Sequence, residues 1–197
     1  MSEPTKTAIR SIRDLELGNK ALFLRLDLNV PLSRPDPATG ERTVEDDTRI
    51  VDALPTIRYA IEKGARIIIA SHLGRPPQTP EKAKKPTPSH AEFSLEPVAT
   101  RLATLLGQEV TLADDCLGDG IELMVGSLKN GQILMLENLR FHAGEETNDP
   151  EFVKRLAKLA QIYVTDAFGA CHRKHASTFG LPALLPIKAM GLLIENE

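Results

Sequence analysis

The chain has 197 residues, 42% apolar and 26% charged, with 13 glycines and 14 prolines, a globular make-up able to bury roughly 70% of the surface its unfolded form exposes. Disorder, a collagen-like repeat and a disulfide scaffold are excluded. Against 24 Lys and Arg stand 27 Asp and Glu, a formal charge of −3, without the basic excess that a nucleic-acid binder shows.

The opening residues, Met1 to Thr7, lack an apolar leader pattern, and runs such as Ile67 to Ala70 are too short to cross a bilayer. A cytoplasmic chain with no membrane and no nucleic-acid partner is therefore expected. Cys116 and Cys171 are far apart and in no CxxC, which fits reduced thiols packed as small hydrophobes.

The first β-rich run, Ala21 to Asn29, alternates partly and ends at Val30-Pro31, where proline stops a central strand. Asp46, Asp47 and Thr48 offer caps for a helix carried by Ile50, Val51, Leu54, Ile57 and Ile61 and closed by Gly64. Pro55 is expected to kink that helix or to mark its true start. Arg66 to Ser71 is apolar on both faces, as in a covered parallel sheet. A helix from Leu95 to Leu106, with Pro97 in its first turn and Gly107 behind it, precedes a strand at Glu109–Leu112. A helix at Ile121–Leu128 and a strand at Gln132–Leu136 follow. Asp149-Pro150 opens a helix whose stripe is Phe152, Val153, Leu156, Leu159 and Ala160, and Ile162–Asp166 is the fifth strand. Strands alternating with helices predict one parallel α/β sheet with right-handed crossovers.

Two loops are long: Ser33 to Glu45, and the proline-rich stretch Arg75 to Phe93 with Lys82, Lys84 and Lys85. The lysines read as a solvated surface, and His90 has no role that the sequence supports.

Ligands of open parallel sheets bind beyond the carboxyl ends of the strands, and the tails there are polar: Asp27-Leu28-Asn29, Ser71 to Arg75, Glu137 to His142, and Asp166 to His175. Arg49, at the start of the first helix, lies within reach of the same edge. Guanidinium forks match phosphate and carboxylate oxygens, and a cluster of them is costly unless an anion sits among them. A pocket for a small polyanion is the physical reading, with Gly74 and Gly169 letting the backbone approach it. His172-x-x-His175 has an acceptable metal-ligand spacing, but Arg75, Arg140, Arg173 and Lys174 repel a dication, so no metal is expected. A GxxxxGK[ST] loop is absent, and Gly118-Asp119-Gly120 is followed by Leu123 where a dinucleotide fingerprint needs a small residue.

Five ordered motifs carry a family resemblance. They are Leu24 to Leu32 (LRLDLNVPL), Asp46 to Ile50 (DDTRI), Ser71 to Pro76 (SHLGRP), Leu136 to His142 (LENLRFH) and Asp166 to Ser177 (DAFGxxHRxHAS). Together they resemble the amino-terminal half of phosphoglycerate kinase, from about residue 7 to the last residue. The resemblance implies a three-layer α/β/α sandwich around a parallel, Rossmann-like sheet, in agreement with the residue pattern. It implies a site for 3-phosphoglycerate or 1,3-bisphosphoglycerate built from Asp27, Asn29, Arg49, His72, Arg75, Arg140 and Arg173, with Gly74, Gly169 and His175 in support. Arg49 would be catalytic, stabilising charge on the transferring phosphoryl group.

Residues 1–197 would then form one phosphoglycerate-binding domain, with a connecting helix starting at about 188–197. Mg2+ and ATP or ADP are expected on a second half that this chain lacks, so the chain alone is expected to be inactive. Thr165, Cys171 and Lys174 depart from the family pattern. The alternative readings are a stand-alone anion-binding or complementation module, and a metal-dependent hydrolase built on the histidines. The apolar tail from Ala183 to Ile194 is expected to lie partly uncovered.

Overall fold

A computed structural model describes residues 10–76, 91–170 and 172–196. Cys171, His90 and the lysine cluster at Lys82, Lys84 and Lys85 lie outside the described residues. Six parallel strands form one sheet in the order β3-β4-β2-β1-β5-β6. They are β1 (Ala21–Leu26), β2 (Arg66–Ala70), β3 (Val110–Leu112), β4 (Ile133–Met135), β5 (Ile162–Asp166) and β6 (Ile187–Met190). β1 pairs with β2 from Ala21 opposite Arg66, and with β5 from Leu22 opposite Ile162.

All six residues of β1 are buried, because helices cover both faces of the sheet. On one face Leu22, Leu24, Ile67, Ile69 and Val164 pack with Ile50, Ile57, Val98 and Leu102, from α1 (Thr48–Glu62) and α2 (Glu96–Leu106). On the other, Phe23, Ile68, Leu134 and Tyr163 pack with Ile121, Val125, Phe152 and Leu156, from α3 (Asp119–Ser127) and, beyond the short α4 (Ala143–Thr147), α5 (Pro150–Ala157). The expected α/β/α sandwich is thus formed, the period-two alternation along each strand feeding two separate cores.

Two local expectations are corrected. Pro55 does not mark the true start of α1, which runs from Thr48 to Glu62 with the proline inside it. The carbonyl that proline leaves without a helical donor is that of Val51, whose residue is 43% exposed, so water can serve it. Of the cap candidates, Asp47 holds the N-cap position without a side-chain capping bond. Asp46 Oδ1 instead accepts from the Thr48 amide at 2.9 Å and from its hydroxyl at 2.6 Å.

The carboxyl-terminal stretch holds the second correction. Ile187–Met190 forms a sixth strand against β5, followed by α7 (Leu192–Asn196). α6 (Leu181–Leu184) precedes it. Leu185, Ala189 and Leu192 are buried, while Ala183, Pro186 and Lys188 are exposed and Leu184 is 52% exposed, so the tail lies partly uncovered, as expected. Asp166 anchors it: its carboxylate accepts from the Ile194 amide at 3.0 Å and from the Thr56 hydroxyl, which in turn accepts from the Leu192 amide.

Candidate functional site

β1 joins to β2 on one side of the sheet, while β5 returns to the other side of β1. The connections therefore diverge at the β1/β5 boundary, the kind of crevice where open α/β sheets bind ligands. Asp27 follows β1 there, and Gly169 follows β5. A Cβ on Gly169 would stand 3.1 Å from Asp27 Oδ2, so a side chain at this position would crowd the carboxylate.

A chain of contacts runs along the edge from Asp27. Its Oδ2 holds Arg49 Nη1 at 2.8 Å, the arginine side chain being 51% exposed and the aspartate 20%. Asp27 Oδ1 accepts from the Asn29 amide at 3.3 Å, and Asn29 Oδ1 accepts from the Gly74 amide at 2.7 Å. Arg140 Nη1 donates to the Gly74 carbonyl at 2.7 Å. Gly74 sits at φ +61, and a Cβ there would lie 2.6 Å from the Phe93 ring. Both its conformation and its neighbour therefore demand glycine.

Beside this chain lies a cluster of bases. His72 is buried, and its Nδ1 faces Arg25 Nη2 at 3.2 Å. Burial and the positive charges of Arg25, Arg140, Arg173 and His175 push the His72 imidazole down to about 2. His175 is lowered as well, by burial first, with Arg140 and Arg173 acting in the same direction. Arg140 is buried, and its affinity for a proton is reduced by burial and by Arg173 and Arg25, against an opposing Glu146. Its Nε has no hydrogen-bond partner, although Glu146 Oε1 is 3.4 Å away in ion-pair range. Five basic side chains from β1 and three tails thus share one field, and one of them, His72, is held neutral by burial and by the rest.

Arg25 is the residue that sequence reasoning passed over. It is 2% exposed near the carboxyl end of β1. Its guanidinium donates to Ser177 Oγ at 2.9 Å and to the Leu26 carbonyl, and reaches His72. Ser177 in turn is held by Glu145, whose carboxylate accepts from the Ser177 hydroxyl at 2.5 Å and amide at 3.0 Å. A lone arginine inside an otherwise apolar central strand was the available signal, because arginine is almost never fully buried without partners.

Other tail residues have different work. Glu137 accepts from the Leu95 amide at 2.8 Å and the Ser94 hydroxyl at 2.7 Å. Asn138 donates to the Leu73 and Phe93 carbonyls, so both brace the tails. Arg75 is exposed at the end of its tail, and no ion pair binds it among the described residues. Lys174 turns over the Phe179 ring, 5.8 Å from its centroid. His142 joins Asp115 at 2.6 Å and leaves the basic cluster.

The arrangement defines a class, an α/β domain with a cluster of basic side chains at the carboxyl edge of its parallel sheet, and comparison with known proteins identifies the family. Residues 12–197 match the family Phosphoglycerate kinase. The phosphoglycerate kinase of Anaeromyxobacter dehalogenans strain 2CP-1 is 52% identical over 190 residues, covering 96% of this chain and 45% of that protein. Phosphoglycerate kinase 1, chloroplastic, of Arabidopsis thaliana is 48% identical over 98% of this chain and 37% of its own length. The solved phosphoglycerate kinase of Coxiella burnetii superposes with a TM-score of 0.78 at 39% identity, covering 95% of this chain and 43% of that one.

The chain belongs to the phosphoglycerate kinase family. It spans about half the length of the relatives it matches, corresponding to their amino-terminal half. No helix among the described residues is long and apolar enough to cross a membrane.

Proposed function

We propose that this chain supplies the 3-phosphoglycerate side of a phosphoglycerate kinase, in which the acyl phosphate of 1,3-bisphosphoglycerate passes to ADP to give 3-phosphoglycerate and ATP. The observation that carries this reading is the convergence of Arg25, Arg140, Arg173 and His175 on a buried, neutral His72. Mutual repulsion makes such a cluster costly to assemble, and a phosphate or carboxylate placed within it relieves that cost.

Arg140, Arg173, Arg75 and His72 hold the phosphate remote from the reaction. Asp27 and Asn29 orient the glycerate, with Gly74, Gly169 and His175 shaping the floor. In the reverse direction the nucleophile is the substrate carboxylate, ionised at neutral pH, so no general base is required. Catalysis then consists of positioning and of stabilising charge on the transferring phosphoryl oxygens. Arg49, exposed at the mouth and pre-aimed by Asp27, is assigned that second role.

Mg2+ does not fit here, and the chain carries no nucleotide-binding fingerprint of its own. A site whose neighbours are guanidinium groups repels a dication, and no step above passes through one. Their place is assigned to the part of the relatives beyond the residues matched.

Calorimetry of the 197-residue chain with 3-phosphoglycerate at low salt tests the site. One-to-one binding that weakens as salt rises is expected. Absence of binding by a chain whose circular dichroism shows it folded overturns the assignment.

A further inference from the structure

Two residues singled out in the sequence, Cys116 and His142, are left unused by the anion pocket. Cys116 is a buried free thiol on the segment after β3, and His142 follows the turn Leu139–Phe141 after β4. With Asp115 they form a cluster in which one ligand atom from each, a carboxylate oxygen, a thiol sulfur and an imidazole nitrogen, lies within 4.8 Å of the others. We propose that Asp115, Cys116 and His142 form a binding site for a borderline transition-metal dication such as Zn2+, separate from the phosphoglycerate site.

The donor set suits this class of ion. Zinc takes Cys, His and carboxylate ligands at about 2.0–2.3 Å in a tetrahedron, often with water in the fourth position. Neighbouring ligand atoms in such a site are roughly 3.3–3.8 Å apart. His142 Nε2 and Asp115 Oδ1 now lie at hydrogen-bond distance, 2.6 Å, so they must open by about 1 Å to admit the ion. Their side chains are 33% and 44% exposed, which leaves room for that movement and an entry path from solvent. The thiol, buried behind them, supplies the fixed point. His142 is steered by Phe152, whose ring centroid is 5.6 Å away.

The local field agrees. Burial first, and then negative charge from Asp115 and Glu145, hold the Cys116 thiol well above its ordinary range, whereas the positive charges of the guanidinium cluster bear on His72. A cation is therefore favoured at one end of this sheet edge and an anion beside it. On binding, the Cys116 S–H bond gives way to a sulfur–metal bond and its proton leaves to solvent, so affinity rises with pH. The ion would clamp the segment after β3 to the turn that carries Arg140.

Co2+ is the probe, because only a bound thiolate gives its near-ultraviolet sulfur-to-cobalt charge-transfer absorption. Titrating the 197-residue chain is expected to develop that band with one-to-one saturation. Cys116→Ser is expected to abolish it. His142→Ala and Asp115→Asn, at part-exposed positions, are expected to weaken Co2+ binding by at least the ~10–100-fold that loss of a mere supporting partner costs. These two variants carry the test if Cys116→Ser does not fold. His172→Ala is expected to leave the band intact. The proposal is overturned if no band forms at saturating Co2+, if the band survives unchanged in His142→Ala, or if it is lost in His172→Ala. None of these outcomes bears on 3-phosphoglycerate binding, which rests on other residues.

Discussion

His72 shows how a single residue records the field around it. An exposed imidazole titrates near 6.5, but here burial and neighbouring cations hold the ring neutral down to about 2. As pH falls below 6.5 the unfolded chain takes up a proton that the folded chain refuses, so stability is lost progressively through that window, by at most ~1.4 kcal/mol per pH unit. His175, lowered in the same direction, adds to the effect. Thermal melting followed from pH 7 to pH 4 should show a shallower acid decline in His72→Gln than in the parent chain. Equal slopes would mean that His72 does not carry the field described.

Arg140 belongs to the same scale. It is buried with an unbonded Nε, a donor held ready within the cluster. Arg140→Ala should weaken 3-phosphoglycerate binding at least ~10-fold, since a hydrogen bond to a charged group contributes about 1.5–3 kcal/mol. Unchanged affinity by calorimetry would remove Arg140 from the site. The tails displayed Arg140, Arg173 and His72 openly, because polar residues directly after apolar strands mark the ligand edge. They did not separate His142, whose partner Asp115 comes from a different loop.

Elements hold these residues in place through a few close approaches. Gly74 carries a positive φ, stands against Phe93, receives Arg140 on its carbonyl and donates its amide to Asn29. Gly74→Ala should cost about 1–3 kcal/mol of stability and weaken ligand binding as well, because Arg140 and Asn29 both lose their fixed partner. Urea denaturation measures the first effect and calorimetry the second; a variant as stable as the parent would contradict the strain argument. The long apolar runs of β1 and β2 and the stripe of α5 were readable from periodicity alone. β6 was not: four residues with Lys188 among them make no clear pattern, and only pairing with β5 turns them into a strand. Pro55 misled in the opposite sense, since packing of Ile50, Leu54 and Ile57 outweighs one lost helical hydrogen bond.

At the scale of the whole molecule, phosphoryl transfer needs two substrates brought into line with water excluded. This chain covers 45% of the Anaeromyxobacter relative. The 197-residue chain by itself is expected to form no ATP from 1,3-bisphosphoglycerate and ADP. Mixing it with a separately expressed nucleotide-binding half from a relative distinguishes one half of a kinase from a stand-alone anion binder. Recovered turnover supports the former, and turnover by the chain alone would refute its inactivity.

The sequence by itself determined the parallel α/β architecture, the family and the sheet edge at which the polar tails lie. Those properties are local: apolar periodicity decides each element, and motif residues stand next to the strand ends that present them. Only the tertiary structure decided which bases share one field, that Arg25 lies among them, and that Asp115 and Cys116 meet His142. Electrostatic coupling depends on distance in space, and residues as far apart in the chain as Arg25 and Ser177 become neighbours only when the strands align.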